Sequence, residues 1–345
     1  MASSHRRLFL DGEQGFSYNY NVMFCADGWS GTGRTERISG RWKGNFQMRK
    51  TAGTVRLWLV IAALLLPGGY GISLAEESPD LSGVRMDPET GVLDLDAAGI
   101  RTVDREALAE VIDGMTGLKE VWLFDAEMTT EDQEWLFEKY YPDIFFGFTI
   151  HIGPHAIRTD QTAFSTLHYS SPTKTDPRHT SEELYALRMC TRLKALDLGH
   201  NYLTDLNFLY WMPDIEVLII SPNYGLEDIS PIANCKNLVY LECFHTPITD
   251  LSPLAGMTKL KDLNLARDGQ VTDISPLYDL PSLERFWWGH MDKVPNAQRK
   301  IMREKHKGCK FSMVYDPTSG GWRSHKRFKQ LHEFFRTGVY VPFSD

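Results

Sequence analysis

Apolar residues recur at a fixed interval through the middle of the chain. Five segments superimpose on an apolar anchor residue, and successive anchors lie 22 or 23 residues apart: Leu193, Ile215, Leu238, Leu260 and Leu283. Each anchor is followed by two apolar residues separated by one position: Leu196/Leu198, Leu218/Ile220, Leu241/Cys243, Leu263/Leu265 and Phe286/Trp288. Because side chains alternate between the two faces of a strand, each pair predicts a short strand with two inward residues.

One such period cannot bury enough apolar surface to fold alone. About seven apolar side chains, worth roughly 2 kcal/mol each when buried, do not offset an ordering entropy of roughly 1 to 2 kcal/mol for each of some twenty residues. Stacked neighbours supply the missing burial and the hydrogen bonds between strands. The pattern therefore predicts a solenoid with a shared parallel sheet.

A short turn motif, a Ser-Pro pair, ends several of these periods. Ser-Pro pairs place a hydroxyl as an N-cap before a proline suited to the first helical position, at Ser230, Ser252 and Ser275. An aspartate precedes each corner, at Asp205, Asp228, Asp250 and Asp273. One carboxylate per period is far from the roughly six to eight oxygens that calcium prefers, so local capping is favoured over a metal site.

Longer and less regular periods flank the repeats. Upstream, the strand pairs Leu93/Leu95 and Val121/Leu123 lie 28 residues apart, with helical patterns over residues 103–115 and 129–141. Residues 144–154 and the segment from Phe164 are strand-like. Downstream, residues 295–308 predict a helix, and residues 309–314 a strand whose inward residues are Cys309, Phe311 and Met313. These last two elements would cap the open end of the stack.

The periods from Cys190 to Trp288 resemble the leucine-rich repeat, LxxLxLxxN followed by a second apolar pair. The phrase DISPL is similar to that of the internalin-type bacterial subfamily. The resemblance implies an α/β leucine-rich-repeat solenoid, with a curved parallel β-sheet on the concave face and helices and 3₁₀ turns on the convex face. Together with the flanking patterns, it divides the chain into irregular long repeats with a cap over 76–180, regular repeats over 181–292, and a cap with a basic aromatic tail over 293–345. We find no LPxTG-like sorting signal, which puts covalent wall attachment in doubt.

Residues 48–75 have the pattern of a secretory signal peptide. Basic residues precede a ten-residue apolar run from Leu57 to Leu66, and small residues precede a cleavage point after Ala75. The run is shorter than the roughly 17 apolar residues of a membrane span, so we expect no transmembrane span after cleavage. Residues 1–47 are then an over-called start or a disordered extension. The expected location is secreted or extracellular, with loose cell-wall association as one form of it.

Composition adds a charge asymmetry to this picture. The 345 residues are 42% hydrophobic and 24% charged, which is ordinary for a globular chain. Residues 76–292 carry a net charge of −21, whereas residues 293–345 carry +8. The acidic body argues against nucleic acid as a partner. The basic tail either holds the protein on an anionic cell-wall polymer or lipid headgroups, or folds back and neutralises the acidic solenoid in cis; the two alternatives are equally open.

The four cysteines of the repeat region and cap are predicted to be reduced. Cys190 and Cys235 stand three residues before their anchors, in a column otherwise filled by Met and Leu. Two repeats separate them by roughly 10 Å, beyond the roughly 7 Å limit on Cα separation for a disulfide. Cys243 takes an inward strand position, and we interpret it and Cys309 as packed thiols.

No enzymatic motif stands out. The chain has no glycine-rich phosphate loop, no GxSxG and no HExxH. His151 and His155 lack a nearby carboxylate or cysteine, so surface or turn histidines are favoured over metal ligands. We expect no enzyme activity, no cofactor and no metal.

The concave face is the predicted recognition surface. Residues flanking each inward pair project from this face, where Ile219, Tyr240, Phe244 and Trp287 would be exposed apolar groups. Aromatic residues with an arginine nearby are frequent anchors of interfaces. We predict that a protein or glycan binds the following residues: Ile219, Tyr240, Glu242, Phe244, Asp262, Asn264, Arg285 and Trp287. Three alternatives stay open: single exposed aromatics without a partner, an envelope-associated structural protein held by its basic tail, and a horseshoe-type enzyme inhibitor.

Overall fold

The computed structural model divides the chain into two units, Met1–Glu77 and Ser78–Asp345. It describes residues 81, 83–167 and 177–344, together with three strands of the first unit. Those strands form an antiparallel sheet in chain order: β1 (Ser3–Asp11), β2 (Gly15–Trp29) and β3 (Thr35–Met48). The two alternatives for residues 1–47, an over-called start and a disordered extension, both stay predictions. Residues 49–75 of the predicted signal peptide lie outside the described residues.

A seven-stranded parallel sheet runs through the repeats of the second unit. Leu196, Leu218, Leu241, Leu263 and Phe286 lie opposite one another in register, which confirms the predicted stack. All their side chains are buried. The strands, in order along the sheet, are β8 (Ala163–Ser165), β9 (Ala195–Asp197), β10 (Val217–Ile219), β11 (Tyr240–Glu242), β12 (Asp262–Asn264), β13 (Arg285–Trp287) and β14 (Lys310–Ser312).

Short 3₁₀ segments return the chain between strands of the regular repeats. Aspartate carboxylates begin three of them: Asp250 Oδ1 accepts from the Ser252 N–H at 2.8 Å, and its Oδ2 accepts from the Ser252 hydroxyl at 2.7 Å. The pattern recurs at Asp228 and Asp273, which confirms local capping by the aspartate column. The predicted serine N-cap is wrong, because the hydroxyl donates to the aspartate. The segments are Tyr185–Met189, Asn207–Trp211, Ser230–Asn234, Ser252–Leu254 and Ser275–Leu277.

The longer upstream periods form a second sheet of four strands with true helices. Asp104 and Thr129 cap the two helices by accepting backbone N–H groups of the first turn. The first three strands of this sheet are parallel, and the fourth pairs antiparallel with the third. The elements are β4 (Val92–Asp94), α1 (Arg105–Asp113), β5 (Glu120–Leu123), α2 (Thr130–Tyr140), β6 (Phe145–Ile152) and β7 (His155–Arg158). The short helix α3 (Ser181–Leu184) then precedes the regular repeats.

The C-terminal elements include the predicted cap and one further helix. Helix α4 (Asn296–Lys305) is followed by β14, in which Phe311 lies opposite Phe286. Met313 was expected to point inward, but its side chain is 50% exposed because β14 ends at Ser312. Beyond it lies α5 (Lys326–Thr337), which ends at Gly338 in a left-handed conformation.

Two apolar cores lie on opposite faces of the seven-stranded sheet. The larger core contains the inward strand residues, the column with Cys190 and Cys235, and residues of the upstream helices. The smaller core joins Val217, Tyr240 and Trp287 to residues of the C-terminal end of the chain: Trp322, Leu331, Phe334 and Tyr340. The second core is absent from the sequence prediction, which left this face open to solvent.

The four cysteines are unpaired, as predicted. Cys190, Cys235 and Cys243 are buried, and Cys309 is partly buried. Burial raises the pKa of the Cys235 thiol to about 12 and raises the pKa of Cys190 and Cys243 as well. These are packed thiols that stay protonated at neutral pH.

Candidate functional site

The predicted concave-face residues come together in space, but the solvent exposure expected of them is wrong. None of the eight is more than 7% exposed: Ile219, Tyr240, Glu242, Phe244, Asp262, Asn264, Arg285 and Trp287. The cause is the end of the chain, residues 313–344, here called the C-terminal segment, which covers this face. A binding role for the eight residues stays a prediction, and it requires the C-terminal segment to move away.

Trp322 is the apolar centre of this cover. Its ring lies 5.4 Å from the Tyr240 ring and 5.0 Å from the Trp287 ring, measured between centroids. All three side chains are fully buried. Aromatic pairs at this spacing add roughly 0.5 to 1.5 kcal/mol beyond the burial of their area. The aromatic residues predicted to anchor a partner thus pack against a tryptophan of the same chain.

Asp262 lies at the centre of a buried charge cluster. Arg285 Nε donates to Asp262 Oδ1 at 2.6 Å, and Arg327 Nη1 donates to Oδ1 and Oδ2 at 3.0 and 3.1 Å. Arg327 also donates to Glu284 through Nη2. Because a buried charge is costly unless paired, the carboxylate on β12 and the guanidinium on α5 hold each other in place.

Glu242 accepts hydrogen bonds from both sides of the buried interface. Trp322 Nε1 donates to Glu242 Oε1 at 2.8 Å, and the Tyr240 hydroxyl donates to the same oxygen. Burial raises the pKa of the Glu242 carboxyl above its usual range, while these two hydrogen bonds oppose the rise. A buried carboxyl on this strand is therefore matched to a donor of the C-terminal segment.

Polar contacts to backbone atoms fix the rest of the segment. Asn264 Nδ2 donates to the Pro317 carbonyl at 2.9 Å, and Trp287 Nε1 donates to the Ser319 carbonyl at 3.1 Å. At Gly289 a Cβ would lie 2.0 Å from the Val314 carbonyl oxygen, so the close crossing of the chain requires glycine there. The Tyr340 hydroxyl donates to Glu216 Oε2 at 2.7 Å.

The contacts of Arg327 bear on whether the basic tail folds back onto the solenoid. This cation does so, because it neutralises the solenoid carboxylates of Asp262 and Glu284 in cis. Other cations of residues 293–345 remain exposed, among them Arg323, Lys326 and Lys329. Binding of an anionic wall polymer by the tail stays a prediction.

A different surface is open to solvent where the strands end. Four non-glycine residues there adopt a left-handed φ between 58° and 69°: His200, His245, Arg267 and His290. Each stands seven positions after its repeat anchor. In two of these repeats the side chain that follows is held by buried hydrogen bonds: Asn201 Nδ2 donates to the Leu198 carbonyl at 3.1 Å, and the Thr246 hydroxyl donates to the Cys243 carbonyl at 3.0 Å. The left-handed conformation costs roughly 1 to 2 kcal/mol per non-glycine residue, so these positions are held under strain.

Aromatic side chains stand beside these strained residues. Tyr202, Tyr224 and Tyr315 are 57%, 63% and 61% exposed. Tyr224 packs edge-on against His245 at 5.0 Å between ring centroids, and Tyr315 against His290 at 4.5 Å. The Arg267 guanidinium lies 4.0 Å from the Tyr315 ring centre. We call this surface the loop edge: His200, Tyr202, Tyr224, His245, Arg267, His290 and Tyr315.

A family model described as Leucine Rich repeats (2 copies) matches residues 236–279. That match, the register of the strands and the repeat period agree. The fold is a leucine-rich-repeat solenoid.

Solved structures of other leucine-rich-repeat proteins are similar at low identity. An internalin from Listeria monocytogenes is 19% identical with a TM-score of 0.37, covering 65% of this chain, which spans 59% of the internalin's length. Internalin C2 from the same species is 20% identical, with a TM-score of 0.27; the match covers 67% of this chain and 76% of the internalin C2 chain. A leucine-rich-repeat protein of Leptospira interrogans is 13% identical, with a TM-score of 0.16, covering 62% and 75%. No curated protein matches the sequence.

The loop edge of the solenoid was missed at the level of sequence. The predicted recognition residues lie at most six positions after their anchors, whereas the strained residues stand at the seventh: His200, His245, Arg267 and His290. Pro222 takes this position in the remaining repeat. Three histidines in one column of five were the available signal. The opposite charges of body and tail allowed the C-terminal segment to fold back on the solenoid, but nothing in its pattern specified which strands it covers.

Three further observations concern a metal site and a membrane span. His151 is exposed, and His155 packs against His179 at 5.4 Å between ring centroids. No cluster of three or more potential metal ligands occurs within the described residues. In the same part of the chain, no helix combines the length and apolar character needed to cross a bilayer.

Proposed function

We propose that this leucine-rich-repeat solenoid is a recognition protein that binds a protein partner through its loop edge. The observation that carries the proposal is the exposure of Tyr202, Tyr224 and Tyr315 along one edge, while the concave face is filled by the chain itself. Tyrosine and arginine are the residue types that most often dominate the binding energy of protein interfaces.

Pre-organisation of the loop edge supports the same proposal. Tyr224 and Tyr315 are held by ring contacts with His245 and His290, so binding costs them little side-chain entropy. The strained backbone beneath is fixed by buried hydrogen bonds such as that from the Thr246 N–H to Asp268 Oδ1 at 2.9 Å. Strain retained at a surface loop is a common mark of a functional position.

The finer parts of the functional assignment are proposals as well. Secretion rests on the signal-like pattern of residues 48–75, and the internalin-like bacterial subfamily on the DISPL phrase. A glycan partner, a horseshoe-type inhibitor and capture on the concave face are alternatives, and the last needs displacement of the C-terminal segment. A non-enzymatic role accords with the absence of catalytic motifs from the sequence.

Site-specific photo-cross-linking tests the loop edge. A benzophenone amino acid at position 224 should capture a defined protein from culture supernatant or cell walls. The matched control is position 210, because Tyr210 is 55% exposed but lies on the 3₁₀ segment Asn207–Trp211. Equal capture of the same protein at both positions would contradict the proposal.

Alanine variants provide the second measurement. Tyr202→Ala with Tyr224→Ala should weaken binding of the captured protein at least about tenfold, because two exposed aromatic anchors are lost. Tyr210→Ala should leave binding unchanged, and both variants should keep the thermal midpoint of the native protein. Undiminished binding by the double variant would exclude the loop edge as the recognition surface.

A further inference from the structure

A cleft at the C-terminal end of the solenoid gathers positive charge. It has a volume of about 910 Å³ and lies between helix α4, the loop before it and Met313. Five cations line it, against the two carboxylates of Asp292 and Glu304: Lys293, Arg299, Lys300, Arg303 and Lys307. The preceding body of the chain, residues 76–292, carries a net charge of −21. The cleft is thus a positively charged patch beside an acidic solenoid.

Most of this charge is left unneutralised by the protein. In the described part of the chain, Lys300 alone among the five forms an ion pair with a carboxylate, Glu304 at 3.8 Å, where both side chains are exposed. Arg299 donates to the Val294 and Met291 carbonyls, and Lys293 donates to the Gln270 side-chain oxygen. These acceptors are neutral. By contrast, Lys305 on another side of the same helix pairs with Asp279 at 2.8 Å.

The two arginines of the cleft are held in position. The guanidinium carbons of Arg299 and Arg303 lie 5.6 and 5.5 Å from the ring centre of Trp288, which is fully buried. Arg303 also contacts the Met313 sulfur through Nη2 at 3.5 Å. Arg299 donates to two backbone carbonyls and its Nη1 is buried, so its role is structural. The Arg303 guanidinium, held in place by its ring contact, loses little freedom on binding and presents a planar set of donors suited to phosphate oxygens.

The cations are spaced too widely for a single small anion to contact all of them, which favours an extended ligand. Lys300, Arg303 and Lys307 follow one another on one side of α4 and its C-terminal turn. At a rise of about 1.5 Å per residue they span roughly 10 Å, which exceeds one phosphate group. The lining includes no aromatic side chain that would stack a nucleic-acid base, and Met313 is its one large exposed apolar group. A bilayer requires a broader apolar face.

We propose that this cleft binds a linear phosphate polymer, through the side chains of Lys300, Arg303 and Lys307. This site is separate from the loop edge and does not rest on the proposed recognition function. It also divides the basic C-terminal region into two parts: Arg327 pairs with Asp262 and Glu284 in cis, whereas Lys300, Arg303 and Lys307 are exposed to solvent.

Titration with inorganic polyphosphate tests the site on the full chain. The Lys300→Gln, Arg303→Gln, Lys307→Gln variant should bind polyphosphate at least about tenfold more weakly, and its affinity should depend less steeply on salt. The matched control is Lys236→Gln, Lys259→Gln, Lys329→Gln, which removes the same charge from exposed positions elsewhere. The control should bind like the native protein, and both variants should keep its thermal midpoint.

Three further probes separate the sources of negative charge. Polyglutamate of equal charge, a single-stranded oligonucleotide of equal phosphate number and vesicles of phosphatidylglycerol with phosphatidylcholine should each bind more weakly than polyphosphate. Equal losses in the cleft variant and the control variant would overturn the proposal, as would failure of the native protein to bind polyphosphate. Tighter binding of any of the three other probes would also overturn it, because it would assign the cleft to carboxylates, nucleic acid or a membrane.

Discussion

The two faces of the seven-stranded sheet are built by different rules. On the interior face, Leu196, Leu218, Leu241 and Leu263 repeat one chemistry in register. On the concave face, Ile219, Glu242 and Asn264 share a column yet differ in size, polarity and charge. Any neighbouring repeat can bury the interior face, because every repeat offers the same apolar surface. The concave face is buried by one segment, whose tryptophan, arginine and carbonyl groups each contact a particular residue of it.

In this solenoid, the irregular concave face is already matched by a specific partner, the C-terminal segment of the same chain. Glu242 meets Trp322, Asp262 meets Arg327, and Asn264 meets the Pro317 carbonyl. A solenoid face that selects a ligand in trans would need the same kind of irregular chemistry. In this chain that chemistry is used by the C-terminal segment.

The largest expected effect comes from breaking the charged contact between the faces. Asp262→Ala leaves Arg285 and Arg327 buried without their shared carboxylate, and we expect a loss of about 3 to 5 kcal/mol in the free energy of unfolding. Urea unfolding of the native and variant proteins measures it. A loss below about 1 kcal/mol would show that the cluster is solvated in solution.

The neighbouring residue on the same strand sharpens the comparison. Leu263 points into the interior core, so Leu263→Ala should cost about 2 to 5 kcal/mol through lost burial and the cavity left behind. Hydrogen exchange should separate the two variants: Asp262→Ala should lower protection first in α5, whereas Leu263→Ala should lower it in all neighbouring strands. The same exchange pattern in both variants would contradict the distinction between the faces.

The interior face was predictable because its information is local. A period of 22 or 23 residues with paired apolar positions specified the strands, their register and the buried cysteines. The aspartates before the corners also followed from spacing, although the role of the serines did not. The α4 helix followed from its own polar and apolar pattern.

The concave face was not predictable, because the contacts that cover it join residues far apart in the sequence. Trp322 and Glu242 are 80 residues apart, and Tyr340 and Glu216 are 124 apart, so no local pattern joins them. Aromatic and charged residues on this face are equally compatible with a partner in trans and a segment in cis. The sequence identified the residues that form an interface, but not the chain that supplies the other side.

Glu242 offers a pH test of the concave face. Burial raises the pKa of its carboxyl above the usual 4.5, so the folded state holds the proton more tightly than the unfolded chain does. The stability from protonated Glu242 is fully present below pH 4.5 and is lost as pH rises through the raised pKa. Glu242→Gln keeps an acceptor for Tyr240 and Trp322, and we expect it to change stability by less than about 1.5 kcal/mol.

The unfolding free energy of Glu242→Gln minus that of the native protein should therefore increase between pH 5 and pH 8, measured by urea unfolding at several pH values. A difference that stays constant over this range would contradict a buried, proton-retaining carboxyl. Comparison with the native protein at each pH removes the contribution of other groups, such as buried Asp268, whose pKa is also raised by burial.

The turn side of the repeats provides a test that leaves both faces of the sheet intact. Asp250→Ala removes the acceptor of the Ser252 N–H and hydroxyl and should cost about 0.5 to 2 kcal/mol in thermal or urea unfolding. Ser252→Ala keeps the bond to the backbone N–H and should cost less. A larger cost for Ser252→Ala would restore the serine as the capping residue.

Hydrogen exchange along the C-terminal segment tests the central claim most directly. The claim is that residues 313–344 form one cooperative core with the concave face. The amides of α5, within Lys326–Thr337, should then exchange as slowly as those of strands β11 to β13, by global unfolding. Exchange of α5 at the rate of a free peptide, beside protected strands, would show an open concave face and contradict the account.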